Sequence, residues 1–516
     1  MNWFPGGTKL LISGPGGNGI TGIWTLATIG GGIRKIQEDV GQAALSPDGS
    51  RIVFERGQKL WQMGLNGENP APLAGAPHGP RFAGIMGCEN CPGLSWSPDG
   101  RWLTYLRVTG ETEPIVLEAR LPETGRIVTI LEDPNLRGYV WLSPTKIVLD
   151  RWEAPDKPYS NLWQIAIDPK EIKAVGTPRR LTNWAGFAVR SMSASRDGKM
   201  LVITRGTDQS NILVGELAGH GNSLLRLRRL SPEDRVEWPG GWSSDSKALL
   251  FQTDRTGNMN IFRQRIDSTN AEPVVIDQND NRSPVLSPNK EWVVYFAWPR
   301  SAPEANTAKL MRKPVAGGAP ELILEARGLA GSAQTSYRVL LPTITGQPAF
   351  RCPSKPDTPC VLSEADPREV VFYSFSPVPA VVRSEMFRVQ VDNPNAVAWD
   401  LSPDGSRLAY AEAEWQSAST IHIRELRTGT THNISLRGVT LASTLAWSAD
   451  GKSLFITTFA LTGSSLYHVT LDGKYQVLYE GAKEVEDAKP SPDGRYLAFG
   501  DVVSACNVWV VEGFPK

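Results

Sequence analysis

LSWSPDGRWLTYLR, residues 94–107, is the stretch that decides the architecture. An apolar lead, Leu94 to Trp96, runs into Ser97-Pro98-Asp99-Gly100. In such a turn Pro pre-sets φ, Asp bonds nearby backbone amides, and Gly accepts a positive φ. A run of apolar residues with strand character follows from Trp102. The same design returns as AALSPDGSRIVFER (43–56), WDLSPDGSRLAYAE (399–412), LAWSADGKSLFITT (445–458) and AKPSPDGRYLAFGD (488–501). Looser copies are MSASRDGKMLVIT (192–204), GGWSSDSKALLFQT (240–253) and PVLSPNKEWVVYFA (284–297).

Three gaps in the series hold degenerate copies. NWFPGGTKLLISG puts Gly6 at the turn, VWLSPTKIVLDRW puts Thr145 there, and FRCPSKPDTPCVLSE fits with Asp357. Marked by the turn residue, complete neighbours lie 43 to 51 residues apart. That period is long enough for one supersecondary unit. After each turn strand come a second strand, such as KLWQMGL from Lys59 or NLWQIAI from Asn161, and often a basic-apolar segment such as PRRLT from Pro178. Four antiparallel strands per unit make a β-propeller blade.

Composition agrees, with 49 glycines and 39 prolines for turns and 17 tryptophans for the packing of sheet on sheet. Helical apolar periodicity is absent, which disfavours a helical solenoid. The expected fold is therefore all-β, with about eleven four-stranded antiparallel blades. Eleven exceed the usual four to eight of one ring, so the units are expected to form tandem propellers. The division is placed at 1–189 and 190–516, with stretches near Ala185–Arg190 and Glu237–Gly241 as candidate boundaries. The first propeller is expected to be incomplete at its N-terminus and to be preceded by a further portion. The insertion between Leu329 and Phe350 is expected to be irregular.

Charge narrows the partners. Lys+Arg and Asp+Glu both number 54. Nucleic-acid binding needs a basic surface, and the only basic run, Arg226–Arg229, reads as a solvated strand edge, so no nucleic-acid partner is expected. No apolar stretch approaches the length of a membrane span.

The search for catalytic chemistry yields little. His78, His220, His422, His432 and His468 are scattered, and no Gly-x-Ser-x-Gly or His-Glu-x-x-His occurs. Gly14-Pro-Gly-Gly-Asn-Gly19 matches a dinucleotide-binding pattern in letters, but it is expected between two hairpin strands with no helix after it. Asp48, Asp99, Asp197, Asp404, Asp450 and Asp493 sit inside the repeated turns and are assigned a structural capping role. Cys88 and Cys91 form an isolated Cys-x-x-Cys, too little for a zinc site that wants four ligands. Cys352 and Cys360 flank a turn and are candidates for a cross-strand disulfide, which would call for an oxidising compartment. Cys506 reads as an ordinary strand residue. No catalytic residue, cofactor or metal is assigned.

These repeats resemble the TolB-like, WD-like propeller repeats of bacteria. Segments such as GIWTLATIGG, PRRLTNWAGF, CVLSE, WDLSPDGSRLAY and NVWVVEGF also resemble, in this order, the C-terminal propeller region of bacterial receptor serine/threonine kinases and membrane-anchored winged-helix regulators. The resemblance implies a non-enzymatic binding or sensing module, extracytoplasmic, with a protein, peptide or envelope glycan as ligand and an effector domain supplied by a missing N-terminal part. The alternatives are the propeller of a prolyl-oligopeptidase-type hydrolase, a free-standing TolB-like periplasmic scaffold and, for location, the cytoplasm.

Overall fold

The computed structural model describes residues 2–15, 21–57, 59–73, 81–82, 94–108, 115–153, 160–184, 188–195, 197–219, 221–232, 235–299, 307–328, 347–378, 383–391, 397–412, 419–439, 442–460, 463–481 and 484–512. Cys88 and Cys91, and most of the 329–350 insertion, lie outside the described residues. Within them the protein is all-β, with forty-two strands in ten sheets. No helix of the described residues is long and apolar enough to cross a membrane.

The strands follow the repeats. The first sheet is β1 (Asn2–Trp3), β2 (Lys9–Pro15), β3 (Thr21–Ala27) and β4 (Ile33–Glu38), and the second is β5 (Ala43–Leu45), β6 (Ile52–Arg56), β7 (Lys59–Met63) and β8 (Ala71–Pro72). The third holds β9 (Arg81–Phe82), β10 (Leu94–Trp96), β11 (Leu103–Val108), β12 (Ile115–Arg120) and β13 (Ile127–Asp133). The fourth is β14 (Leu136–Ser143), β15 (Lys146–Trp152), β16 (Ser160–Asp168) and β17 (Lys173–Arg180). Next come β18 (Ala188–Ala194), β19 (Met200–Ala218) and β20 (Ser223–Arg229). Five further four-stranded sheets follow. They are β21 (Glu237–Trp242) to β24 (Ala271–Val275), with β22 (Ala248–Thr253) and β23 (Asn260–Arg265), and then β25 (Asp280–Leu286), β26 (Trp292–Trp298), β27 (Thr307–Pro314) and β28 (Glu321–Arg327). After them come β29 (Ala349–Arg351), β30 (Cys360–Asp366), β31 (Glu369–Phe375) and β32 (Ser384–Gln390), followed by β33 (Val397–Leu401), β34 (Arg407–Glu412), β35 (Ser419–Glu425) and β36 (Thr431–Leu436). The last of the five is β37 (Ala442–Trp447), β38 (Ser453–Ala460), β39 (Gly463–Thr470) and β40 (Tyr475–Gly481). Finally, β41 (Glu484–Pro490) and β42 (Tyr496–Glu512) join the sheet of β18, β19 and β20 in the order β18-β19-β42-β41, with β20 on β19.

The repeated turn works as its chemistry demands. Ser97 Oγ donates to Asp99 Oδ1 at 2.5 Å, Arg101 N–H donates to the same oxygen at 3.1 Å, and Trp102 N–H donates to Ser97 Oγ at 3.0 Å. The set recurs at Asp48, Asp197, Asp404, Asp450 and Asp493, and also at Asp245 and Asn289. Gly100 takes φ +70°, as the left-handed position requires. In two of the looser copies the same position is filled by Ser246 at φ +60° and Lys290 at φ +63°.

The chain forms two compact units, residues 1–207 with 506–516, and residues 208–505. This differs from a division at 189/190. The crossing points fall inside β19 and β42, where the chain passes from one unit to the other in mid-strand. Gly206 and the polar run Thr207–Asn211 stand at the first crossing, but inside β19 they make no turn between strands.

In the second unit apolar clusters fill every junction between successive sheets. Leu250 and Ile261 meet Val293 and Tyr295, Phe296 and Leu310 meet Phe350 and Leu362, and Phe372 meets Trp399. Ile421 and Ile434 meet Trp447 and Ile456, Phe455 and Leu466 meet Leu497 and Phe499, and Ile212 with Ala498 meets Trp242 and Phe251. Six sheets thus close on themselves, because β42 pairs with β41 and shares a sheet with β19. Each buried large side chain contributes on the order of 1.5–3 kcal/mol to this packing. In the first unit clusters join the first sheet to the second, the second to the third, the third to the fourth, and the fourth to β18–β19 with Val511 of β42. Arg205 is held between the rings of Trp184 (4.7 Å) and Trp509 (4.2 Å), which fixes the end of β42 in this unit.

Candidate functional site

Inner strands of a propeller usually bury apolar side chains toward their neighbours, and in the second unit several carry charge instead. β29 supplies Arg351, β33 Asp400, and β41 Glu484, Glu486, Asp487 and Lys489. Arg351 Nε donates to Asp400 Oδ1 at 3.0 Å. The other oxygen of Asp400 accepts the Trp447 backbone N–H at 2.8 Å. Lys489 Nζ lies 3.4 Å from Asp487 Oδ1, and the carbonyl of Lys489 accepts the Trp242 indole N–H at 2.8 Å. Strands from five of the six sheets thus meet in one polar network.

The electrostatics are those of a dry site. Burial raises the Asp400 carboxyl above its ordinary range, against the pull of Arg351 and Lys489. Burial also lowers the Lys489 ammonium, opposed by Asp487 and Asp400. Burial raises Glu486 well above the ordinary range, and Glu484 and Asp487 add to the rise. Glu486 is 2% exposed and its Oε2 has no hydrogen-bond partner. Beside Arg351 lies a cavity of about 30 Å³ that also touches Ser363, Trp399 and Thr444. That volume suits water-sized occupants. Such an array can orient a charged or hydrogen-bonding group.

A second constellation escaped the sequence. Ser453 Oγ lies 2.7 Å from His468 Nε2, and His468 Nδ1 lies 2.9 Å from Asn222 Oδ1. Nucleophile, base and orienting group stand in the order that acyl transfer uses. The surroundings contradict that use. Ser453 and His468 are 7% and 4% exposed. A Cβ placed on Gly221 would sit 3.0 Å from His468 Nε2, so backbone already occupies the approach. The Ser453 backbone N–H is engaged by Ser448 Oγ at 3.0 Å and donates nothing toward an oxyanion. The three residues tie the β19–β20 hairpin to the sheet of β37–β40. No spacing rule could have found them, since Asn222 and His468 are 246 residues apart.

The other candidates fall as follows. The turn aspartates are spread over five sheets, Asp197 and Asp493 at separate turns of the sheet that holds β18, β19, β42 and β41. Among the described residues no group of three or more His, Cys, Asp or Glu could hold a metal ion. Gly14 and Pro15 end β2 and pair with Gly22 and Thr21 of β3, and the rest of the glycine-rich stretch lies outside the described residues. The Arg226–Arg229 run lies on strand β20. Cys352 and Cys360 form a disulfide with Cα atoms 4.3 Å apart, and Cys360 is fully buried against Phe350 and Phe375. Cys506 lies in β42.

The chain is similar to TolB. Over 126 residues, 24% of the chain, it is 27% identical to the Tol-Pal system protein TolB of Helicobacter hepaticus, and the match spans 28% of that protein. Among solved structures, TolB from Agrobacterium tumefaciens overlaps 58% of this chain and 99% of its own, at 13% identity and TM-score 0.44. TolB from Acinetobacter baumannii overlaps 70% and 82%, at 11% identity and TM-score 0.39. No family model matches the chain.

Proposed function

We propose that this chain is a non-enzymatic binding module that takes a protein, peptide or envelope-glycan ligand on the inner strands of its second unit. The observation that carries the reading is the concentration of Arg351, Asp400, Asp487 and Lys489 on the inner strands β29, β33 and β41, with Glu486 buried next to Asp487. Buried charge is costly to a fold, and its concentration at one place is the usual mark of a site that recognises something. The likeness of the repeats to bacterial receptor regions supports a sensing role, with an effector domain elsewhere. The Cys352–Cys360 bond supports work outside the cytoplasm, where disulfides persist.

Three measurements test this. A fluorophosphonate probe should leave the purified chain unlabelled, and stoichiometric labelling of one serine would defeat the non-enzymatic reading. Peptides selected on the wild-type chain from a random display library should bind Lys489→Met at least tenfold more weakly in calorimetry, with an unchanged melting curve. Equal affinity for both would move the binding site elsewhere. Non-reducing mass mapping of protein from its native host should find the 352–360 pair oxidised, and a reduced pair would argue for the cytoplasm.

A further inference from the structure

At one sheet of the second unit a covalent bond stands where other sheets have a hydrogen bond. In the Ser-bearing turns the Ser Oγ accepts the backbone N–H of the residue five positions on, at or just before the start of the second strand. Arg407 donates in this way to Ser402 at 2.9 Å, and Trp102 to Ser97 at 3.0 Å. The sheet of β29–β32 has Cys352-Pro353 in place of Ser-Pro, and Cys360 opens its second strand, β30. The register of β29 and β30 sets Arg351 against Val361, which makes Cys352 and Cys360 the next pair in line. The disulfide therefore pins the same two chain positions that the Ser hydroxyl pins elsewhere. Pro353 keeps the seat of a turn proline. A Cβ on Gly405 of the following turn would lie 3.4 Å from Pro353, much as one on Gly451 would lie 3.8 Å from Pro403.

This bond abuts the polar network. β29 has three residues, against five to seven in the other inner strands of the unit. Phe350 anchors it on one side, buried with its ring edge-on to Phe296 and Phe375. The disulfide anchors it on the other. Arg351 stands between these two anchors and holds Asp400. The loop that the disulfide closes also reaches the strand end beyond Asp400, where the Ser354 and Lys355 backbone N–H groups donate to the Pro403 carbonyl at 2.8 and 3.3 Å. Cys352 is half-buried and most of the loop after Pro353 is exposed, so one end of the bond lies near solvent. A bridge between residues eight apart constrains the unfolded chain less than a long one, because the entropic effect grows with the logarithm of the loop. What the bond holds in place is its larger consequence.

We infer that the Cys352–Cys360 bond positions Arg351 on Asp400, and that opening it releases this pair and weakens ligand binding on the inner strands. The inference rests on the reading of those strands as the binding site. The reagent that opens the bond is a dithiol. One of its thiolates attacks Sγ of Cys352, the S–S bond breaks, and Cys360 leaves as the thiolate. The second thiol of the reagent attacks the mixed disulfide and frees Cys352. Two electrons and two protons pass from the dithiol to the cysteine pair, and the dithiol is left as a disulfide. Cys352 and Cys360 are thus positioning residues, and Arg351 is the group through which they act.

The experiment uses the full chain, oxidised or treated with dithiothreitol, and phenylglyoxal as the probe of arginine, with the modified sites mapped by mass spectrometry. Arg351 should react roughly threefold or more faster in the reduced chain, as local opening exposes its guanidinium. Arg255, held by Glu237 at 2.8 Å in the same unit, is the internal control and should react at an unchanged rate. The Cys352→Ser, Cys360→Ser variant should show the fast Arg351 rate with or without dithiothreitol. Equal Arg351 rates in oxidised and reduced wild type would overturn the inference, and so would a parallel rise at Arg255, the sign of general loosening. A slow rate in the double variant, or a response to dithiothreitol that persists in it, would overturn the inference as well. The binding arm uses the peptides selected on the wild-type chain, which should bind the reduced chain roughly threefold or more weakly, since a binding group left unpositioned must be ordered by the ligand. Unchanged affinity on reduction, with Lys489→Met still weakened, would overturn the redox control and leave the binding site standing. Equal affinity for Lys489→Met and wild type would remove the binding site instead, and with it the control of binding, while the Arg351 rates would still decide whether the bond holds the pair.

Discussion

Glu55 offers a quantitative test of how the first unit is balanced. It is the last residue but one of β6, is 3% exposed, and its carboxylate lies over Gly41, where an added Cβ would come within 2.8 Å of Oε2. Burial raises its pKa from 4.5 to about 7. As the pH rises through that interval, the unfolded chain has released a proton that the folded chain still holds. The unfolded state then binds fewer protons, so stability falls as pH rises from about 4.5 and the loss is complete above about 7. At about 1.4 kcal/mol per unit, the full effect is about 3 kcal/mol. Glu55→Gln keeps the shape and removes the titration. Urea unfolding of wild type and variant at pH 4, 6 and 8 should give nearly equal stabilities at pH 4 and a gap in the variant's favour that widens to about 3 kcal/mol at pH 8. Asp150, which burial raises to about 6, titrates in both proteins and cancels in the difference. Parallel stability curves across the range would refute the reasoning.

Three further substitutions have calculable outcomes. Lys290→Gly relieves a left-handed backbone at φ +63° and should stabilise by about 0.5–1 kcal/mol in chemical denaturation, while Ser246→Gly should gain less because Ser246 Oγ accepts the Asp493 N–H at 3.2 Å. Gly500→Ala would place a Cβ 2.8 Å from the ring of Trp238, which is 1% exposed, so the midpoint of the second unit should fall by about 1–3 kcal/mol, and an unchanged midpoint would show that the ring can yield. His468→Phe leaves Ser453 and Asn222 without their shared partner and should cost about 1–3 kcal/mol. Burial holds His468 below 6.5, so stability should also fall as pH drops below about 6.5 in wild type and not in that variant.

The turns were legible because each carries its own chemistry. Ser, Asp and Gly at fixed offsets hydrogen-bond locally, and the degenerate copies at Gly6, Thr145 and Asp357 kept enough of the pattern to be placed at the heads of their sheets. The polar network of the second unit was not legible. Arg351, Asp400 and Lys489 stand far apart in sequence, on strands whose lengths and spacing mark them as ordinary blade strands. The Ser453–His468–Asn222 set was hidden for the same reason, since a sheet brings together residues that no local period relates. The division into units was not read because both crossings fall inside continuous strands, β19 and β42, where Gly206 and the polar run Thr207–Asn211 do not form a turn between strands.

The mid-strand crossings make the second unit an insertion within the first. Residues 208–505 are one uninterrupted stretch, whereas the first unit needs residues 506–512 to finish its last sheet. During synthesis the first unit therefore waits, with Leu201, Ile203 and Arg205 lacking Trp509 and Val511, until some three hundred residues of its guest have been made. A gene fragment ending at residue 207 leaves its host unit unsealed. A fragment of residues 208–505 keeps every sheet junction it needs. In refolding, the guest is accordingly the body expected to form first and the host the one whose completion is paced by contacts distant in sequence.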